Sequence, residues 1–498
     1  MFCGIKVFLE VFSSNWMAKK DFDEKGLSPE QIFAIKAFAR DLKANKYVSG
    51  EMQFTDITNC DYFLKAYGDT IRYCSKWDKF LLWNGTCWEI DGEDMVSTMY
   101  RDFIHQLYRV LRVINDVNLQ YAFEKHLMKS ENFRRIIAVL GIMKMTESIR
   151  IKSDEMDLDN YLFNTEKLTI KLKTGECQTP DKEDRITKKS KFIYDKNAKC
   201  PTWEMFLMQI FNNDLDLIHF VQKAVGYSLS GDTSEQCLFI LWGNGANGKS
   251  TFLNVLQHLF GDYASTARTE TFMKKTSEQS NDLARLKGAR IVTTSEAEQG
   301  KPLSESLIKQ ITGGDKLSAR FLYGEFFDFI PTFKIFMATN HKPKIKGGDN
   351  GIWRRIKMIP FTVTIPPEKR DKHLTEKLIA ENSGILNWIL EGYSMWEKEG
   401  LLNEPKAVSE AISEYRDDMD SVQTFITECL CIDASQKSRL DNKVLYSAYL
   451  KWCAQNNEHV MSHKWLSMQM QEKGFKKSVS NGTRFWLGLE ARPGWDLS

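Results

Sequence analysis

The chain has 498 residues and a net charge of +2, with 42% hydrophobic and 27% charged content. That length is too great for one core and points to about three domains of ordinary globular composition. Near-neutral charge excludes the global basic field of a histone-like binder, and no stretch approaches the roughly eighteen apolar residues of a membrane span. Nucleic-acid contact, if made, must rest on local patches or on several subunits arranged around a strand. Ten cysteines include no CxxC pair and no zinc spacing, and Cys429 and Cys431 are one residue apart. They read as structural thiols of a reducing cytoplasm.

The N-terminal MFCGIKVFLEVF holds a short apolar run, but its acidic residue and lack of a small-residue cleavage site argue against a signal peptide. Met17, followed by Ala18-Lys19-Lys20, reads as a second candidate start. The expectation is a cytoplasmic protein, in a bacterial host cell or its equivalent, without a targeting signal. Residues 1–53 are charged and helix-prone, with Ser28 as a cap and Pro29 in the first turn of SPEQIFAIKAFARDLKAN. Residues 54–200 change character: TIRYCSKWDKFLLWNGTCWEID carries a hairpin turn at Asn84-Gly85, and YLFNTEKLTIKLKTGECQTP reads as further short strands. The basic run RITKKSKF is either a solvated face or linker, or a nucleic-acid patch. Pro201 opens a helical stretch that ends at Gly226 and Gly231.

The segment CLFILWGNGANGKSTFLNVLQHLFG then combines a strand, a glycine loop and a helix start. Cys237 to Trp242 is an apolar run, Gly243-Asn244-Gly245-Ala246-Asn247-Gly248 is too glycine-rich for regular structure, and apolar residues return at helical spacing from Lys249 to Phe260. This is the pattern G-x-x-x-x-G-K-[ST] between the strand and helix that give it meaning. Glycines let backbone N–H groups converge on phosphate oxygens, and the helix N-terminus adds positive potential. Lys249 can reach the β- and γ-phosphates, Ser250 can hold Mg²⁺, and Thr251 comes next in the same turn. The residues predict NTP binding.

Further landmarks come in order along the chain. Ala289 to Ser295 is a β-rich run ending in Glu296-Ala297-Glu298, where a P-loop ATPase keeps the carboxylates that hold Mg²⁺ and polarise water. Phe333 to Thr339 is a third apolar strand ending in Asn340, a polar group that can contact the γ-phosphate or orient water. Gly351-Ile352-Trp353-Arg354-Arg355 precedes the apolar run IKMIPF; such an arginine pair is either salt-bridged surface or an arginine finger offered to a neighbouring subunit.

This ordered set, with ITGGDKLSAR and ATNHKP between its parts, resembles the superfamily 3 helicases, and within them the phage/plasmid primase-helicase family that includes the poxvirus primase-helicase. The aromatic LWNGTCW segment and CPTWEMFLMQIF resemble that family's helicase-associated N-terminal domain. The resemblance covers roughly residues 54–400. It implies an α/β fold, with an AAA+-type P-loop ATPase core over 201–400 and a mixed α+β domain over 54–200; residues 401–498 lie beyond it and read as a linker with a winged-helix-like domain. It implies ATP and Mg²⁺ as cofactors, a homohexameric ring with sites between subunits, and 3′-to-5′ travel on single-stranded and forked DNA. Residue by residue, Lys249 and Ser250 match the Walker A pair, and Glu296 the acidic strand end that binds metal, with either Glu296 or Glu298 as base. Asn340 matches the sensor, Arg354 the finger with Arg355 as fallback, and Lys309 a basic residue that reads nucleotide across the interface. DKLSARFLYGEFFDFIP reads as a hairpin turning at Gly324-Glu325, which the resemblance makes the DNA-gripping hairpin. Its tip offers Tyr323 and Phe326 with Lys316 and Arg320 at the base; these aromatics either stack on bases or pack as core.

After the acidic, helical linker SEAISEYRDDMDS, which is expected to be flexible, two helices and a hairpin at Asn481-Gly482 keep the order of a winged helix. Lys476, Lys477 and Arg484 on its wing would meet phosphates, unless the module binds protein. Nothing resembles a primase catalytic domain, so a separate primase or polymerase is an expected partner. The function expected is an ATP-dependent DNA helicase for a phage, plasmid or other mobile element, or alternatively an AAA+ initiator or switch ATPase that does not unwind processively.

Overall fold

The computed structural model describes residues 29–492, apart from 45, 48–49, 51–52, 275–279, 296–300, 323, 346–349, 402, 434, 436, 457, 459 and 481. Glu296, Glu298 and Tyr323 therefore lie outside the described residues, as do Met17, Ser28 and Asn481. The chain forms two compact units, residues 1–159 with 179–188, and residues 160–178 with 189–498.

In the first unit, helices Pro29–Lys43, Asp56–Tyr67, Met95–Leu107, Val117–Ser130 and Phe133–Met145 bury one aromatic-rich core around Phe38, Phe63, Tyr100 and Phe123. Strands Lys79–Trp83 and Trp88–Ile90 form the hairpin expected at Asn84-Gly85. Its turn is closed by Asn84 Oδ1 accepting from the backbone N–H of Thr86 and Cys87, each at 2.8 Å, and Gly85 takes φ +91°.

The second unit is built on a five-stranded sheet. The apolar runs become β1 (Leu238–Trp242), β3 (Ile291–Ser295), β4 (Lys334–Thr339) and β5 (Ile356–Pro360), and the short polar segment Ala264–Thr266 adds β2. Their order is β5-β1-β4-β3-β2, and every pair is parallel. Strands covered on both faces must be apolar throughout, which is why LFILW and IKMIP lack alternation. The register sets Trp242 beside Thr339 and Pro360, and Ala338 beside Ser295, so four strands end at one edge. The segments leaving these strands must therefore meet at that edge, the usual place for ligands in such sheets.

Helices α1 (Pro201–Ile210), α2 (Leu215–Leu229), α3 (Lys249–Phe260), α4 (Glu305–Gly313), α5 (Asn382–Glu399) and α6 (Lys406–Met419) complete this part of the unit. Gly226 does not end a helix as its residue type suggests; it lies inside α2. A Cβ there would come within 2.1 Å of Tyr393 N, and one on Gly392 within 2.1 Å of Gln222 O. The two glycines let α2 and α5 pack backbone to backbone. The linker is helical as expected, forming α6, but it is docked rather than flexible, with Val408, Ala411 and Tyr415 buried against the sheet. Its acids occupy the outer face, and the i, i+3, i+7 apolar stripe docks it.

The amino edge of the sheet is held by buried cations. Arg290 donates to Leu229 O at 2.5 Å and Leu162 O at 2.6 Å, and Lys334 donates to Ser230 O at 2.5 Å and Asp232 O at 3.0 Å. Leu229, Ser230 and Asp232 lie at and beyond the C-terminus of α2, where helix carbonyls lack partners, and Leu162 belongs to a neighbouring short strand. Burial and the nearby Arg290 push the Lys334 ammonium down to about 7.

Residues 422–492 close on their own core around Phe425, Tyr449, Trp452 and Trp486. Helices Asn442–Asn456 and His463–Glu472 precede strands Lys477–Ser480 and Thr483–Leu487, and Arg439–Asp441 adds a third strand. Ser462 caps the second helix by accepting from Trp465 N at 3.3 Å.

The glycine contact is testable by calorimetry. Gly226→Ala is expected to destabilise by about 1–3 kcal/mol, because the added methyl meets backbone that cannot yield. Gly141→Ala, mid-helix with open space around its Cβ position, is expected to stabilise by about 0.5–1 kcal/mol.

Candidate nucleotide-binding site

The segment Gly243–Gly248 leaves β1 at the carboxyl edge and enters α3, as the motif requires. Gly245, Ala246 and Gly248 take φ values of +100°, +50° and +85°. These left-handed residues turn successive N–H groups to one side, the form of an anion nest. Gly243 is required for space: a Cβ there would fall 2.2 Å from Asn247 Nδ2 and 2.3 Å from Phe361 O. At Gly248 both conditions apply, with Ile210 Cγ2 of α1 at 2.7 Å from the Cβ position. The loop is fastened on three sides. Gly243 N donates to Thr339 O at 3.3 Å, Asn247 Nδ2 to Phe361 O at 3.2 Å, and Ile365 N to Ala246 O at 2.8 Å.

Lys249 is buried within this frame. Its Nζ donates to Gly243 O at 2.7 Å, Asn247 Oδ1 at 3.0 Å and Asn340 Oδ1 at 3.1 Å. Three donors meet three oxygens, and none of those oxygens belongs to a carboxylate. Burial pushes the ammonium down to about 8. The hydrogen bonds are complete while the charge has no counter-ion among the described residues, so the site can accept an anion at the loop. Ser250 faces solvent in the first turn of α3, where its hydroxyl is open to a hard cation held by the same anion, and Thr251 is half-buried.

Lys249 and Asn340, from two separate members of the motif set, are thus brought together. Lys309 lies half-buried on α4. The two arginines separate. Arg355 is buried, with Nε on Thr312 Oγ1 at 3.0 Å and its other nitrogens on Gly351 O at 2.6 Å and Gln236 Oε1 at 3.1 Å. Arg354 is exposed and reaches Gln236 Oε1 at 3.4 Å. Both precede β5, at the amino edge of the sheet. Five residues of strand, about 16 Å, separate them from the edge that carries Lys249.

The hairpin pairs Leu317–Ala319 with Phe327–Phe329, and its connection runs from Arg320 to Phe326 rather than turning in two residues at Gly324-Glu325. Gly324 N donates to Phe321 O at 2.8 Å inside this longer loop. Phe326 does not pack as core: it is 62% exposed, beside exposed Phe321 and Leu322, and the Arg320 guanidinium lies 4.8 Å from its ring centroid. Lys316 is exposed at the base. In the C-terminal region Lys476 and Arg484 are exposed, whereas Lys477 donates to Ser467 Oγ at 2.7 Å and covers the Trp486 ring at 4.5 Å. Burial and the nearby Arg484 lower its ammonium.

Two features escaped the sequence. Asn247 is a tether between Lys249 and Phe361 that the motif pattern leaves unspecified. Lys342, two residues past Asn340, sits 4.8 Å from the Trp242 ring centroid; ATNHKP gives no sign of it.

Residues 60–212 match the family described as D5 N terminal like, and residues 241–355 match a family of unknown function, DUF5906. The protein named "Putative helicase L207/L206" of Acanthamoeba polyphaga mimivirus is 29% identical over 325 residues, 60% of this chain and 34% of its own length. "Putative helicase V13" of Sputnik virophage is 22% identical over 447 residues, covering 83% of this chain and 56% of its own length. "Putative primase C962R" of African swine fever virus (isolate Warthog/Namibia/Wart80/1980) is 26% identical over 283 residues, 51% of this chain and 29% of its own length. The chain thus spans between 29% and 56% of the length of these curated relatives. It belongs to the phage and viral primase-helicase family.

The Lys249 environment fixes a pH dependence. A polyphosphate favours the charged amine and so raises a pKa that burial has lowered to about 8. Above pH 8, binding of ATP is expected to take up a proton, and affinity to weaken as pH rises through 8. Titration calorimetry at pH 8.5 in buffers of different ionisation enthalpy measures the uptake, which Lys249→Met should abolish.

Proposed function

We propose that this protein is an ATP-dependent DNA helicase with an AAA+-type core, acting in the replication of a DNA virus or other mobile element. The observation that carries this reading is Lys249, buried in a glycine loop at the carboxyl edge of a parallel sheet and bonded to neutral oxygens. In the proposal the loop N–H groups and Lys249 hold the β- and γ-phosphates of ATP, and Ser250 with Glu296 holds Mg²⁺. Glu296 or Glu298 polarises the attacking water, and Asn340 orients it or contacts the γ-phosphate.

A ring is supported by the position of Arg354. With about 16 Å of strand between it and the edge carrying its own Lys249, an arginine finger at this position serves the site of a neighbouring copy. We take Arg354 as that finger, since Arg355 is committed to Thr312, Gly351 and Gln236. Lys309 is proposed to act across the same interface. The exposed Phe326, backed by Arg320 and Lys316, is proposed to stack on single-stranded DNA inside a homohexamer moving 3′ to 5′. Residues 422–492 are read as a winged-helix-like module whose Lys476 and Arg484 meet phosphates, with Lys477 holding the wing to its helix. Priming by a separate primase or polymerase belongs to the same proposal.

Strand displacement on a forked duplex with ATP tests the reading: wild-type protein is expected to unwind it and Lys249→Ala to do neither hydrolysis nor unwinding. ATP turnover without displacement would favour an initiator or switch ATPase. Arg354→Ala is expected to bind ATP but lose about three to five decades of turnover, the range known for arginine fingers. Mixing it with Lys249→Ala subunits should restore activity at mixed interfaces. No rescue at any ratio, with mixed rings verified, contradicts a site shared between subunits.

A further inference from the structure

Asn340 directly follows β4, and the next residues, 341–345, leave the sheet in a loop that is tied at each position. Thr339 Oγ1 donates to His341 O at 2.6 Å and accepts from His341 N at 3.1 Å. Lys342 Nζ pairs with Asp418 Oδ2 at 2.6 Å and lies between two aromatic rings, 4.8 Å from the centroid of Trp242 and 5.9 Å from that of Tyr415. The Tyr415 hydroxyl donates to Pro343 O. Lys344 Nζ pairs with Glu458 Oε1 at 3.2 Å. On the other side, Lys344 N donates to Lys301 O at 3.3 Å, and Lys344 O accepts from Leu303 N at 2.8 Å. Ile345 is buried in the core.

The partners of this loop come from four places. Trp242 is the last residue before the glycine loop. Tyr415 and Asp418 stand on α6. Lys301 and Leu303 begin the chain leading into α4. Glu458 belongs to the C-terminal region, and its N–H donates to Cys453 O at 2.9 Å at the end of helix Asn442–Asn456. A lysine needed only for solubility keeps its ammonium in water. The Lys342 side chain is 13% exposed and is held by a carboxylate and two ring faces, an arrangement stronger than an exposed ion pair.

We propose that Lys342 is a positioning residue for the nucleotide site, fixing Asn340 against the exit of β1, and that its loop relays the state of the site to the C-terminal region through Glu458. The inference rests on the nucleotide-site reading given under the proposed function. Asn340 accepts from Lys249 in this structure. When a polyphosphate takes over Lys249, Asn340 loses that donor and the loop it heads must re-form its ties. Asp418 and Glu458 receive the change, one on α6 and one beside the C-terminal helix.

Nucleotide binding is measured first on each variant with a fluorescent ATP analogue, and steady-state turnover second. Lys342→Met is expected to keep KM within about twofold and lower kcat about tenfold, the pattern of misplacing a group rather than losing a binding contact. Lys342→Arg keeps the ion pair and the ring contacts and is expected to recover most of the loss. Hydrogen exchange of helix Asn442–Asn456 is then monitored with and without the analogue. Wild-type protein is expected to show a nucleotide-dependent change in protection, Glu458→Lys to lose it, and Lys344→Glu with Glu458→Lys to regain it. A partly exposed pair limits the coupling to about fivefold.

Absence of nucleotide binding in wild-type protein removes the nucleotide-site reading and this inference together. Binding with wild-type kcat in Lys342→Met, or equal damage from Lys342→Arg, removes the positioning role alone. Unchanged exchange in the wild-type helix on nucleotide binding removes the relay.

Discussion

A buried lysine ammonium whose hydrogen bonds all go to neutral oxygens is the constraint around which the second unit is arranged. A charge taken from water is expensive unless its protons are bonded. Lys249 spends all three on oxygens drawn from three places: the loop's first carbonyl, a side chain within the loop, and the side chain just after β4. To bring these oxygens within reach, β1 and β4 must be adjacent, parallel and in register, and the loop must fold back on itself through left-handed residues. Sheet order, glycine placement and the Asn247–Phe361 tie all serve that single geometry.

The same sheet handles charge differently at its two edges. At the amino edge, Arg290 and Lys334 are also buried, but their acceptors are backbone carbonyls, three of them around the end of α2 and one on Leu162, which need donors in return. Those cations are consumed in holding helix to sheet. At the carboxyl edge Lys249 donates to amide oxygens of the loop and of Asn340, with no carboxylate among the described residues pairing with it, so its field stays directed at the loop. One arrangement stabilises; the other waits for a ligand. The close approach of α2 and α5 at Gly226 and Gly392 leaves no room for a side chain between the two helices.

How much of this was legible in the sequence depends on the kind of signal each feature leaves. The strands were readable because doubly covered parallel strands must be continuous apolar runs, and the loop was readable because its glycines recur at a fixed spacing. Gly226 was misread as a helix end, since residue type alone does not tell a terminator from a close contact between backbones. The segment 409–421 looked like a flexible linker because its five acids outnumber its four apolar residues, yet Ala411 and Tyr415 fall on one face with Val408 before them and dock the helix. The hairpin tip was misplaced because Gly324-Glu325 suggests a tight turn, whereas pairing stops at Ala319 and Phe327. The choice between Arg354 and Arg355 depends on which one points into the core, and adjacent residues carry no sign of that. Lys342 left no trace because its partners, Trp242 and Asp418, lie far away in sequence.

The central claim is that Lys249 is bonded to neutral oxygens so that a polyphosphate can become its counter-ion. Asn340→Asp places a carboxylate at the position that now accepts from Lys249 at 3.1 Å. The decisive measurement is the proton uptake accompanying ATP binding at pH 8.5 in this variant, compared with wild-type protein and Asn340→Ala. An internal carboxylate should hold Lys249 charged in advance, so uptake should vanish and affinity fall more than about tenfold below that of Asn340→Ala. Repulsion between the new carboxylate and the phosphates would weaken binding without removing the uptake. Wild-type uptake and affinity in Asn340→Asp would contradict the account.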